Sequence, residues 1–226
     1  MTLRVVTAAV LAILLTAGVA ALNLLDSNDG CPCGWADGQS LLAAQPLGCI
    51  REIIPEEDKV TVAGMAPDSW DWRSVGGTNY VTSVKNQGSC GSCTAFAAVG
   101  ALEAVIKVSG GPTMDLSEAH LFNCGGGSCN NGMAISVALN YLKQYGTPDE
   151  ACFPYQARDM PCGNTCSDWT KRAVQIDDWS WISGRESIKN AIVTYGPVVT
   201  GYEVFEDFYY DYPNTGIWSN NVYEYK

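Results

Sequence analysis

Apolar positions are spread unevenly along these 226 residues, and their spacing predicts the elements. Ala95 to Ile106 is apolar except at Gly100 and Glu103. A run of that length with no polar face predicts a buried helix. It stops at Gly110-Gly111-Pro112, because glycine frees the backbone and proline cannot extend a helix. Ser117, whose hydroxyl suits the unpaired amides of a first turn, predicts a short helix ending near Cys124. Ile135 to Tyr145, closed by Gly146, reads as another helix. So does Ser187 to Tyr195, stopped by Gly196-Pro197. Val198 to Val204 has the β-branched and aromatic content of a strand.

The beginning of the chain follows a different pattern. Arg4 is followed by eighteen residues, Val5 to Leu22, without a charge, closing on Ala17-Gly18-Val19-Ala20-Ala21. A basic start, an apolar middle and small exit residues predict a secretory signal peptide over residues 1–22. The length also borders on a membrane span, so an anchor through residues 5–22 is the alternative. Residues 23–66 are polar, turn-rich and weakly patterned, with Cys31-Pro32-Cys33-Gly34 and Glu56-Glu57-Asp58-Lys59 among them.

Charge narrows the partners. A net charge of -11 and a pI near 4.4 argue against nucleic acid and anionic membrane surfaces. Ten cysteines point to disulfides and an oxidising compartment, so the chain is expected to be secreted or otherwise extracytoplasmic. His120 is the single histidine.

Cys93 stands where the buried helix begins, and there a thiol faces unpaired N–H groups and the positive end of the helix dipole. Both favour thiolate, the nucleophilic form. Six residues upstream, across the Gly88-Ser89 link, lies Gln87, an amide donor. Cys90-Gly91-Ser92-Cys93 also admits a thiol–disulfide redox pair, or half of a zinc site lacking its second ligand pair.

The stretch Gln87-Gly88-Ser89-Cys90-Gly91-Ser92-Cys93 resembles the active-site segment of the papain-like cysteine proteases, and departs from it at Thr94, where an aromatic residue is usual. The resemblance continues in order through Pro67 to Arg73 (with Asp71-Trp72-Arg73), Leu116-Ser117-Glu118, Gly127-Ser128-Cys129-Asn130-Asn131-Gly132, Phe153-Pro154-Tyr155 and Gly216-Ile217-Trp218. It implies an α+β fold in two domains: a helical left domain to about residue 175 and the beginning of a β-rich right domain. The peptidase domain would span residues 67–226, with 23–66 a short pro-region or an N-terminal extension.

The resemblance assigns roles residue by residue. Cys93 would be the nucleophile and Gln87 the oxyanion donor of an endopeptidase acting on peptide or protein substrates, without metal or cofactor. Gly132 and Asn131 would meet the extended substrate, while Met133, Ala134 and, opposite them, Gly201 would edge the main specificity pocket. Thr94, smaller than the usual aromatic, would leave space beside the nucleophile. Disulfides would join Cys90 to Cys129 and Cys124 to Cys162. Cys152 and Cys166, flanking Cys162, would suit each other, leaving Cys31, Cys33 and Cys49 without assigned partners.

The family's general base is a His oriented by an Asn, about 130–150 residues beyond the nucleophile. This chain runs only 133 residues past Cys93, and His120, 27 residues past it, falls in the Leu-Ser-Glu helix. His120 is therefore expected to be a surface or structural histidine rather than the base, and the chain to be cut before its base and inactive as it stands. Two rival readings remain: a non-catalytic peptide-binding relative on the same fold, and a secreted thiol–disulfide oxidoreductase using Cys90 and Cys93.

Overall fold

The computed structural model describes residues 52–202 and the short paired segments Arg4–Val5, Leu11–Ala12 and Cys49–Ile50. Its centre is helix α1, Cys93–Val108. From Thr94 to Ile106 every residue except Gly100 is buried, as a helix without a polar face requires. Its alanines allow close approach on several sides. Against it pack α2 (Glu118–Cys124) and α3 (Ile135–Gln144). Leu102, Val105 and Ile106 of α1 share one core with Leu121, Phe122, Leu139 and Leu142.

The helix ends have local causes. Gly111 N donates to Ile106 O at 2.8 Å, closing α1 where the glycine pair was expected to. Ser117 Oγ accepts from His120 N at 2.9 Å and donates to Phe153 O at 2.6 Å, so one hydroxyl caps α2 and ties it to a loop. After α3 the chain turns at Gly146, φ +74°, where a Cβ would lie 2.4 Å from the Val174 carbonyl oxygen. That approach lets Thr147 and Val174 exchange backbone hydrogen bonds.

Two further helices follow, α4 (Trp169–Arg172) and α5 (Arg185–Tyr195). The sequence pattern had not singled out α4. The strands are two residues each and pair in parallel. They are β1 (Arg4–Val5) with β6 (Gln175–Ile176), β2 (Leu11–Ala12) with β8 (Val198–Val199), β3 (Cys49–Ile50) with β5 (Met133–Ala134), and β4 (Lys59–Val60) with β7 (Trp181–Ile182). The strand expected over 198–204 is thus only Val198–Val199, both buried; Thr200 to Tyr202 is irregular, and 203–204 lie outside the described residues. The Gly216-Ile217-Trp218 segment also lies outside them.

The segment before Pro67 is docked rather than loose from residue 52 onward. Glu52 sits at the N-terminus of α3, accepting from Ser136 N at 2.9 Å and from the Ser136 hydroxyl, a favourable place for a carboxylate. Val62 N donates to Ser187 Oγ at 2.7 Å, and Asn190 Nδ2 donates to the carbonyls of Val62 and Gly64. No described helix is long and apolar enough to cross a membrane. The anchor considered for residues 5–22 lies mostly outside the described residues.

All three expected disulfides are present: Cys90–Cys129, Cys124–Cys162 and Cys152–Cys166. Cys31 and Cys33 lie outside the described residues.

Candidate active site

Cys93 is the first residue of α1, half-buried and outside the three disulfides. The Cys90–Cys129 bridge holds the preceding turn, with Gly91 N donating to Cys129 O at 3.0 Å and Ser92 N to Cys90 O at 2.7 Å. Cys90 is thereby committed to Cys129. A dithiol reaction between Cys90 and Cys93 loses its second sulfur, which removes the oxidoreductase reading. Cys90, Cys129 and Asp159 are the one described group close enough to suggest metal ligands, but both sulfurs are consumed by the disulfide.

Gln87 folds over the same turn. Its Nε2 donates to Cys90 O at 2.9 Å, and since an amide nitrogen carries two hydrogens, the second is left for another acceptor. Gly88 takes φ +61° between Gln87 and the disulfide, the left-handed backbone that a non-glycine residue resists. The Gln87 carbonyl accepts from Tyr155 Oη at 2.8 Å.

Thr94 alters the expectation of empty space. It is 3% exposed, and its hydroxyl donates to Met133 O at 2.9 Å. The side chain therefore ties the first turn of α1, which begins at Cys93, to the loop carrying Met133. In that loop Asn131 is exposed, whereas Met133 and Ala134 are buried, and Cys49–Ile50 pairs along them. Gly132, φ +77°, donates its N–H to Ser128 O at 2.7 Å and accepts from Ser128 N at 3.3 Å. Pairing of Gly132 with an extended peptide would fall to the second lone pair of its carbonyl. Gly201 follows β8, half-buried.

A pocket of about 320 Å³ is bordered by Lys85, Phe96, Asp115, Glu118, Glu150 and Tyr155. Lys85 Nζ is 2.6 Å from Asp115 and 2.8 Å from Glu118, with Leu116 O at 3.3 Å and Glu103 at 3.5 Å. Glu103, the charge that interrupts the apolar run of α1, accepts from Leu116 N at 2.7 Å and from Thr82 Oγ1 at 2.6 Å. In the sequence Glu103 shows only as a charge inside an apolar run, a signal that carries no role by itself. Burial opposes the Lys85 ammonium, yet Asp115 and Glu118 outweigh it and hold Lys85 above the ordinary lysine range. Burial pushes Glu118 up to about 7, against the pull of Lys85, and also raises Glu150. We attribute the Glu118 shift to its second oxygen, which is buried without a partner.

His120 is fully buried, enclosed by Trp169 at 4.7 Å, Tyr141 at 5.8 Å and Phe153 at 6.3 Å between ring centroids. Nδ1 is 3.4 Å from Thr147 Oγ1 and Nε2 has no partner. Burial lowers its pKa to about 4. The ring is structural, as expected, and lies in the core rather than on the surface.

These two groups give opposite pH dependences. His120 resists protonation in the fold, so its contribution is complete above pH 6.5 and is lost as pH falls towards 4. Glu118 resists ionisation, so its contribution is complete below pH 4.5 and is lost as pH rises through 7. Each is worth about 3 kcal/mol at 1.36 kcal/mol per pH unit, so they offset each other between pH 4.5 and 6.5. The variant His120→Phe should expose the Glu118 slope, melting at higher temperature at pH 5 than at pH 7. An unchanged pH–Tm profile would show that these groups do not set it.

Residues 66–225 match the papain family of cysteine proteases. The chain belongs to that family. Among curated relatives it is 35% identical to cathepsin S of Bos taurus over 164 residues, covering 67% of this chain and 46% of the relative. It is 38% identical to a cathepsin L-like protein of Caenorhabditis elegans, covering 58% of this chain and 39% of that one. Among solved structures, digestive procathepsin L 3 of Tenebrio molitor larval midgut superposes with a TM-score of 0.51 at 26% identity, over 62% of this chain and 46% of that one. A structure from work on the mite allergens Blo t 1 and Der p 1 gives 0.52 at 25% identity, over 62% and 49%. The chain thus spans about half the length, or less, of these relatives. The papain-family α+β fold agrees with the observed helices and short strands, and the disulfides agree with an oxidising, extracytoplasmic setting.

Proposed function

We propose that the chain carries the nucleophile and oxyanion donor of a papain-type thiol endopeptidase acting on extended peptides. One observation carries the reading. Cys93 stands outside the three described disulfides at the N-terminus of a buried helix, with the Gln87 amide folded over the same turn. The Cys93 thiolate attacks a peptide carbonyl carbon, and the C=O electron pair moves to oxygen, where the remaining Gln87 N–H donates to it. Collapse breaks the C–N bond, the amine leaves with a proton from a general acid, and water later hydrolyses the thioester. Gly132, Asn131, Met133, Ala134 and Gly201 are assigned to the substrate. Residues 67–226 form the peptidase unit and 23–66 a pro-region or extension, after a signal segment over 1–22.

A second reading has its own observation: His120 is enclosed in the core, so within these residues nothing described supplies the acid or base. A peptide-binding relative without turnover would show the same nucleophile turn. The test of the nucleophile is iodoacetamide labelling followed by non-reducing peptide mapping. Label should fall on Cys93 and not on Cys90, Cys124 or Cys129. Cys93 found in a disulfide, or Cys90 alkylated beside it, would exclude the assignment.

A further inference from the structure

Ser92 occupies the N-cap position of α1, where a serine hydroxyl ordinarily accepts a hydrogen bond from a first-turn amide. Here it caps nothing. Ser92 is fully buried, and its Oγ lies 2.6 Å from Tyr155 Oη. That phenol sits 2.8 Å from the Gln87 carbonyl oxygen and donates its one hydrogen there. The Ser92 hydroxyl must then be the donor to Tyr155 Oη; its other acceptor, Cys90 O, is farther away at 3.4 Å. The result is a chain of two hydrogen bonds, Ser92 to Tyr155 to Gln87, spanning the residue before the nucleophile and the residue bearing the oxyanion amide.

Tyr155 is itself held. Its ring meets Phe96, one turn into α1, edge to face at 4.8 Å, and its backbone N–H donates to Glu150 Oε1 at 2.6 Å. We infer that Tyr155 is a positioning residue that fixes the oxyanion donor Gln87 relative to the turn carrying Cys93. The inference rests on the reading of Gln87 as oxyanion donor. Between Gln87 and Cys93 the covalent path runs through Gly88 and Gly91; the Cys90–Cys129 bridge holds its middle, and the Gln87 end is held only by the Nε2 bond to Cys90 O and the phenol at its carbonyl. The phenol closes that path from behind. Burial also raises the Tyr155 pKa, so the hydroxyl keeps its donor hydrogen through neutral and mildly alkaline pH.

The experiment uses the 226-residue chain and a peptide aldehyde, which needs no leaving-group acid. The Cys93 thiolate adds to the aldehyde carbon, the C=O pair moves to oxygen, and that oxygen accepts from Gln87 before taking a proton from water. Each variant is first shown by iodoacetamide to retain a reachable Cys93. Aldehyde binding is read as protection of Cys93 from iodoacetamide, and Gln87→Ala should weaken it about 100-fold, the size expected of an oxyanion donor. Tyr155→Phe keeps the ring against Phe96 and loses only the hydroxyl; it should weaken aldehyde binding about tenfold, one hydrogen bond's worth. The deciding result is the double variant. Because Tyr155 acts through Gln87, Gln87→Ala/Tyr155→Phe should be within about twofold of Gln87→Ala alone. Ser92→Ala, which removes no cap, should weaken aldehyde binding a few-fold in the parent and add little to Tyr155→Phe. Losses that simply add, or a Tyr155→Phe variant indistinguishable from the parent, would overturn the inference while leaving Cys93 and Gln87 in their roles. A Gln87→Ala variant as sensitive as the parent would instead overturn the oxyanion reading beneath it.

Discussion

Expressed as these 226 residues, the protein should alkylate at Cys93 yet cleave peptide substrates at least about 1,000-fold more slowly than papain-type enzymes with an imidazole beside the thiol. The helix terminus favours thiolate, so attack on a reactive electrophile needs no partner. Peptide cleavage does, because the amine leaves poorly without a proton. General acid–base assistance is worth about 10²–10⁴-fold, and losses within a unit of cooperating residues exceed that share. His120 cannot supply it. Its ring is walled by Trp169, Tyr141 and Phe153, with no exposed atom through which to exchange a proton with a substrate. The comparison is a peptide assay on the 226-residue chain with Cys93→Ala as control. Turnover approaching that of ordinary family members and abolished by Cys93→Ala would mean that a group in these residues serves as base.

How much of this was legible beforehand depended on whether the cause was local. Helix α1 announced itself because twelve residues with two exceptions can only be buried, and Gly110-Gly111-Pro112 can only end it. Ser117 announced α2 because N-capping involves residues three apart in sequence, and it bonds His120 N as that rule requires. The Cys90–Cys129 and Cys124–Cys162 bridges followed from the resemblance, which carries a pairing that spacing alone does not; Cys152–Cys166 followed only from the two flanking Cys162. What stayed hidden was non-local. Lys85 meets Glu103, Asp115 and Glu118 across 18 to 33 residues of sequence, and nothing in Thr82-Ser83-Val84-Lys85 points to those partners. Thr94 is another such case. Read alone it is a small residue in a large one's place; only the fold brings the Met133 carbonyl to 2.9 Å and turns the replacement into a tie. Among the described residues the strand expected over 198–204 is shorter, because β-branched content measures fit to a buried pleat and of residues 198–202 only Val198 and Val199 have a partner strand.

The Lys85 cluster yields the other large effect: Lys85→Met should destabilise the fold by about 3–5 kcal/mol at pH 8, the cost of leaving a buried carboxylate without its cation. Glu103 and Glu118 are 1% and 2% exposed, so solvent cannot replace the ammonium at either. Asp115, the third partner, is largely exposed, and an exposed ion pair contributes little. The loss therefore concentrates on the two buried acids. Glu103 keeps donors from Leu116 N and Thr82 Oγ1. Glu118 keeps nothing comparable, because one oxygen faces Lys85 and the other is already without a partner. Glu118 should accordingly take up a proton in the variant more readily than in the parent, and protonation removes the buried charge that causes the loss. The deficit should shrink as pH is lowered from 8 to 5, while an ordinary packing defect would be the same at both. Urea denaturation of parent and variant at the two pH values decides it. A deficit independent of pH would assign the effect to the methylene stem of Lys85 rather than to its charge. Because Lys85 is two residues before Gln87, the same variant should also loosen the turn carrying Gln87, so aldehyde protection of Cys93 from iodoacetamide should weaken with it at pH 8 and partly recover at pH 5.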